Sequence, residues 1–233
     1  IIEIACNEAK LYKKYGLDGV MIENMHDVPY LKGSVGPEII ASMTTICTEV
    51  KREIRNIPLG VQILSAANHE ALAVAHSTGA QFIRVEGFVF SHIADEGWID
   101  SCAGKLLRYR RNIGAEKVLL WSDIKKKHCS HAVTSDLSLQ EQTKAAEFFH
   151  SDGIIITGTS TGEPIHLDDL TAAKESVSLP VIIGSGVNGD NVHLYKNADG
   201  LIIGSHFKTN GKWYHDIDEK RVAKFMNLIT RVP

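Results

Sequence analysis

The chain has 233 residues, 44% of them apolar and 23% charged, an ordinary globular composition sized for one large domain, 1–233, with no linker or low-complexity tract to divide it. Its formal net charge of −3 and pI near 6.4 give no electrostatic ground for a nucleic-acid partner, and no apolar run reaches the roughly 18 residues of a membrane span. Cys6, Cys47, Cys102 and Cys129 stand far apart with no C-x-x-C pair, which speaks against a zinc site or a disulfide framework and for free thiols in the cytoplasm, or in an organelle after processing.

Residues 1–16 read as a helix, with Ile4, Leu11 and Tyr15 near one face and Gly16 at the C-cap. Strands are predicted at 20–24, 59–64, 81–86, 118–124, 153–158, 181–184 and 201–204. Helical patterns fill the intervals at 37–55, 68–78, 103–112, 137–150, 167–176 and 189–196, and a closing helix covers 218–231. Alternation of this kind specifies a parallel α/β sheet. The junction before the strands repeats as Asp18-Gly19, Asp152-Gly153 and Asp199-Gly200, with Gly79-Ala80 and Gly114-Ala115 as variants, which suits a (β/α)8 TIM barrel of equivalent units. Seven strands are recognised and the chain opens on a helix, so the first barrel strand is expected to be missing from it. A seven-stranded open, doubly wound sheet is the rival architecture.

In a parallel barrel the C-terminal ends of the strands face the ligand. The first predicted strand ends in Glu23 and Asn24, followed by His26 and Asp27, a polar cluster that serves either as a cap and turn or as ligand groups. Gln62 interrupts an apolar strand. Arg84 and Glu86 share a strand face by period-two alternation and form either an internal salt bridge or an anion clamp. Asp123 and Lys125 also share a face, with His128 close behind. A carboxylate beside a lysine supports proton transfer, a divalent metal, with Glu23 as the second carboxylate, or a Schiff base on the lysine. The alternative is a strand-end ion pair next to the solvated Lys126-Lys127. The stretch 87–104, with His92, Asp95, Glu96 and Trp98, is long enough to be a lid.

The loop Thr157-Gly-Thr-Ser-Thr-Gly-Glu-Pro164 concentrates glycines and hydroxyls, and Thr157, Thr159, Thr161 and Gly162 are candidate ligand contacts. The last two strands break into Gly184-Ser185-Gly186 and Gly204-Ser205. Side by side, such turns form a phosphate cradle, with the following helix adding its positive end. The loops after strands seven and eight are the usual phosphate site of a TIM barrel.

Taken together, Glu23-Asn-Met-His-Asp-Val-Pro29, Phe82-Ile-Arg-Val-Glu86, Asp95-Glu-Gly97, Ser122-Asp-Ile-Lys125 with His128, the 157–164 loop, Gly184-Ser-Gly-Val187 and Gly204-Ser-His-Phe-Lys208 resemble the BtpA family, including its SgcQ-like members, over nearly the whole length. The resemblance implies a phosphate-binding TIM barrel. It also carries a link to photosystem I biogenesis through the founding cyanobacterial member, and to sugar-phosphate metabolism through bacterial relatives. Family members normally place a strand and a proline-containing loop before the helix that opens here, and often have asparagine in place of Gln62 or Glu86.

The expected function is therefore an enzyme acting on a small phosphorylated metabolite by isomerase or lyase chemistry, since neither a nicotinamide fingerprint nor a Walker loop is present. Glu23, Asp123 and Lys125 are expected to carry acid/base work and Arg84 to orient the anion. Gly184, Ser185, Gly186, Gly204 and Ser205 are expected to hold the phosphate, flanked by Asn24, Asp27, Thr157, Thr159, Thr161, Gly162 and His128. No cofactor is firmly implied, a divalent metal stays open, and a homo-oligomer is expected. The competing class is a biogenesis factor that keeps the barrel for binding alone.

Overall fold

A computed structural model describes residues 1–158, 160 and 162–229. In chain order the helices and strands are α1 (Ile2–Lys14), β1 (Val20–Glu23), α2 (Pro37–Ile54), β2 (Leu59–Gln62), α3 (Asn68–Thr78), β3 (Phe82–Val85), β4 (His92–Ala94), β5 (Gly97–Ile99), α4 (Ala103–Asn112), β6 (Leu119–Ile124), β7 (Cys129–Ser130), α5 (Leu139–Phe148), β8 (Gly153–Ile156), α6 (Leu167–Ser176), β9 (Val181–Ile183), β10 (Gly200–Leu201) and α7 (Glu219–Ile229).

Seven strands pair in parallel in the order β1-β2-β3-β6-β8-β9-β10 and curl into part of a barrel whose two edges are β1 and β10. The helices pack outside the sheet, α1 on α2, α2 on α3 and α5 on α6. Every residue of β2, β3, β8 and β9 is buried. That is why these strands read as unbroken apolar runs and not as alternating ones: a parallel sheet is covered on both faces. Local signals place the ends of elements. Pro37 begins α2, where its missing N–H costs nothing, and Gly79 closes α3 in the left-handed conformation, φ +70°. Ser138 and Glu141 form a reciprocal capping box that starts α5.

The recurrent acid–glycine junction has a structural cause. Asp152 accepts the Leu120 N–H at 2.9 Å and Asp199 accepts the Val181 N–H at 2.7 Å, so the carboxylate before one strand fixes the start of its neighbour. Gln81 plays the same part for Leu59 at 2.8 Å.

Two expectations need correction. The predicted helix 189–196 is a short 3₁₀ turn, Val192–Tyr195, and another, Ser205–Phe207, follows β10. Neither offers the aligned dipole of an α-helix, because one turn sums too few peptide units. The stretch 87–104, expected as a long loop, is partly sheet. It contains the hairpin β4–β5, which turns at Asp95-Glu96, and β7 adds to it as a three-stranded antiparallel sheet. The alternation of buried His92 and Ala94 about exposed Ile93 is the strand signal in that segment. Residues 230 and 231 of the predicted closing helix lie outside the described residues. Among the described residues no helix is long and apolar enough to cross a membrane.

Candidate functional site

The strands end in a cavity of about 350 Å³, within the size range of small-molecule sites. One half of its wall is apolar and aromatic, from Met25, Val28, Tyr30, Leu64 and Trp213. The other half is charged, from Glu23, Arg84, Glu86, Lys126 and Lys127. Asp95 and Glu96 at the β4–β5 turn and His128 complete the rim.

Arg84 is the centre of the charged half. It is 5% exposed, and its fork meets Asp123 twice, Nε to Oδ2 and Nη2 to Oδ1, both at 2.9 Å. Glu23 stands 3.7 Å from Nη1. Burial works against the charge of Arg84, but Asp123, with Glu23 and Glu86, outweighs it and holds the guanidinium pKa above its usual value. Period-two alternation did place Arg84 and Glu86 on one face, yet they are not paired with each other. Glu86 takes Lys126 Nζ at 3.0 Å, Gln62 Nε2 at 3.1 Å and the Ala66 N–H at 2.7 Å. Burial pushes the Glu86 carboxyl up, and Lys126, Arg84 and the Ala66 N–H together bring it below the usual range.

Two groups on the same wall are pushed toward neutrality. Burial raises the Glu23 carboxyl against the opposing pull of Arg84 and Lys127. The Lys127 amine is lowered by burial and then by the positive charge of Arg84. An acid held protonated more readily beside an amine held neutral more readily is the pairing that proton-transfer sites use.

The remaining predicted residues fall in several places. Lys125 leaves strand alternation at φ +48°, and the backbone turn carries its side chain away from the large cavity. It lines a separate space of about 10 Å³ with Gly87, His92, His131 and Gln142, large enough for no more than one water molecule. Asp123 is committed to Arg84. The position between Asp123 and Glu23, left open in the sequence for a divalent metal, holds the guanidinium, and the described residues bring no three His, Cys, Asp or Glu side chains together. Asn24 is a latch between strand ends, accepting the Leu64 N–H at 2.7 Å and donating to Asp27 at 3.0 Å. Thr157 accepts the Lys127 N–H at 3.0 Å and so sets the position of that lysine. Gly162 has φ +86°, and none of the described residues outside its chain neighbours comes within 4 Å of where its Cβ would stand; Thr159 and Thr161 lie outside the described residues.

The glycine turns sit on neighbouring strands at the same end of the sheet, since Gly200 and Leu201 pair with Ile182 and Ile183. They do not line the large cavity. Gly184 donates its N–H to Ile156 at 2.8 Å, so it serves the sheet and not an anion cradle. Its missing Cβ leaves room for Ile155, Thr157 and Arg84 Nη2, the last only 3.3 Å from where a Cβ would stand. Gly186, at φ +78°, lies against the Glu163 carbonyl and accepts Asn191 Nδ2 at 2.8 Å. Ser185 is 8% exposed, and its hydroxyl has no hydrogen-bond partner among the described residues. Gly204 is open, and Ser205 begins the 3₁₀ turn.

Sequence reasoning missed Lys126, Lys127, Tyr30 and Trp213. The run of three lysines was a signal, but without the φ at Lys125 the choice among them went to the wrong neighbour for this cavity.

A parallel βα sheet curled about a buried ion network, with a polar mouth at its strand ends, defines a TIM-barrel type of protein. Solved structures agree: orotidine 5'-phosphate decarboxylase from Pyrococcus horikoshii superposes with a TM-score of 0.64 at 14% identity, covering 99% of this chain and 95% of that one. A 3-hexulose-6-phosphate synthase gives 0.63 at 14%, covering 97% and 94%. A model of the BtpA family matches residues 1–231. A mitochondrial protein of Caenorhabditis elegans is 50% identical, covering 98% of this chain and 84% of its own. The photosystem I biogenesis protein BtpA of Synechocystis is 36% identical, covering 98% and 79%. The chain belongs to the BtpA family.

Proposed function

We propose that the protein is an enzyme that binds a small phosphorylated metabolite in the barrel mouth and moves protons on it, in an isomerisation or lyase reaction. The observation that carries this reading is the pair Glu23 and Lys127, both biased toward neutrality on one wall of a cavity large enough for such a ligand. Glu23 is the acid, Lys127 the base, and Arg84, held by Asp123, the cation that orients the anion. Ser185, whose buried hydroxyl lacks a partner among the described residues, and the Gly186, Gly204 and Ser205 backbone lie outside that cavity on the neighbouring strand ends, where the phosphate of a ligand extending from the mouth would meet them. Further support comes from the names of the fold's neighbours, an orotidine 5'-phosphate decarboxylase, a 3-hexulose-6-phosphate synthase and a phosphoribosyl anthranilate isomerase among them. The mitochondrial label of the nematode relative supports an organellar form.

The test is a thermal-shift panel that pairs phosphorylated sugars and nucleotides with their unphosphorylated counterparts. Binding to the folded state raises its stability, by about 2.7 kcal/mol at a hundredfold excess over Kd. Shifts confined to the phosphorylated members are expected, and a flat response across the panel refutes the reading. A second reading, a barrel that binds without turnover in complex assembly, is favoured by the name of the Synechocystis relative. Ligand binding with no turnover would select it.

A further inference from the structure

We propose that Lys127 is a covalent anchor: its amine condenses with the carbonyl of a phosphorylated aldehyde or ketone to form a Schiff base, with Glu23 protonating the departing oxygen. This rests on the reading of the mouth as a site for phosphorylated metabolites, replaces the role of Lys127 as base by that of nucleophile with Glu23 carrying the proton both ways, and adds the substrate class, a carbonyl compound.

Of the three consecutive lysines only Lys127 meets the requirements. Lys125 is turned out of the large cavity. Lys126 is bound to Glu86 at 3.0 Å, and its carbonyl lies 2.9 Å from His131 Nε2. Lys127 lines the cavity, its backbone N–H is fixed by Thr157, and its Nζ makes no hydrogen bond or ion pair among the described residues. An amine that is partly desolvated beside another cation is the arrangement that activates a lysine nucleophile. Burial and Arg84 supply both here and lower the Lys127 pKa.

The step balances without an outside reagent. The Nζ lone pair bonds to the carbonyl carbon, the C=O pair moves to oxygen, and a proton passes from nitrogen to that oxygen. The hydroxyl then leaves as water with the proton from Glu23. One amine, one carbonyl and one proton become one protonated imine and one water. The imine draws electrons from the adjacent C–H or C–C bond, and the Glu23 carboxylate is placed to take the proton released. Hydrolysis by one water restores the amine and the carbonyl.

The experiment treats the full chain with dihydroxyacetone phosphate or glyceraldehyde 3-phosphate plus sodium cyanoborohydride and maps the reduced adduct by peptide mass spectrometry. Lys127 is expected to be labelled about tenfold or more above Lys125 and Lys126, as for an activated lysine. Label should disappear in Lys127→Arg and Lys127→Met, form more slowly in Glu23→Gln, and be blocked by glycerol 3-phosphate, which carries the phosphate but no carbonyl. Labelling spread over lysines in proportion to exposure, or unchanged in Lys127→Arg, overturns the proposal. Parallel melting curves separate the two ideas. If glycerol 3-phosphate raises the melting temperature but neither carbonyl probe is captured, the Schiff base fails and the phosphorylated-ligand reading stands. If no phosphorylated compound shifts the curve and nothing is captured, both fail.

Discussion

Asp123→Ala removes both hydrogen-bond acceptors of a guanidinium that is 5% exposed. Of the remaining anions that act on it, Glu23 and Glu86, Glu23 lies 3.7 Å away, near enough to soften the loss but too far to replace two hydrogen bonds. Breaking a buried pair by removing one partner costs about 3–5 kcal/mol, because the other charge stays desolvated and uncompensated. Glu23 puts the expectation at the lower end, about 3 kcal/mol. In a chain of 233 residues each kcal/mol moves Tm by about 2–4 °C, so a fall of about 6–12 °C is expected. Urea unfolding followed by circular dichroism should show the midpoint move with its slope unchanged. The double variant Arg84→Met/Asp123→Leu should recover most of the stability, since apolar groups of similar volume remove both desolvation costs. It should also abolish the response to phosphorylated ligands. A loss below about 1 kcal/mol in the single variant, or a double variant no better than the single one, would refute the assignment of this pair as the buried electrostatic centre of the mouth.

Other expectations follow from single residues. His92 is 6% exposed, and its Nε2 has no hydrogen-bond partner among the described residues. Burial, with Lys126 and His131 nearby and only Glu86 opposing, lowers its pKa from 6.5 to about 4. Between those values the unfolded imidazole binds a proton that the folded one does not, so stability should fall as pH drops through that window, by at most about 1.4 kcal/mol per pH unit from this group. His92→Phe should flatten that part of the curve in urea midpoints taken from pH 7 to pH 4; an unchanged profile would count against it. Gly186→Ala must hold a side chain at φ +78° against the Glu163 carbonyl and should cost about 2 kcal/mol or more. Gly204→Ala meets open space and should stay within about 0.5 kcal/mol of the parent. Equal melting points for the two glycine variants would reject the packing described for the Gly186 turn.

The parallel sheet was legible because its strands, buried on both faces, appear as unbroken apolar runs separated by helix-length intervals. β2, β3, β6, β8 and β9 fall within the predicted limits, trimmed by a residue or more at one or both ends. The hairpin β4–β5 was not legible, since two three-residue strands around Asp95-Glu96 leave too short a pattern to separate from a loop. The helix expected after β9 failed for a similar reason: a helical pattern of eight residues is satisfied equally well by a 3₁₀ turn held by Asn188 and Asn191.

What the residues alone determined is the set of chemical groups and the end of the sheet at which they gather: Glu23, Arg84 and Asp123 lie at or near strand ends because a parallel βα repeat puts all its strand ends on one side. Partner choice belonged to the tertiary structure. Arg84 could have closed on Glu86, its neighbour by alternation, but β6 packs beside β3 and brings Asp123 to the fork, leaving Glu86 to Lys126. One left-handed residue, Lys125, then decided which lysine meets the cavity. Spacing along the chain carries no information about such choices, because they depend on which strands neighbour each other and on a backbone dihedral that packing selects.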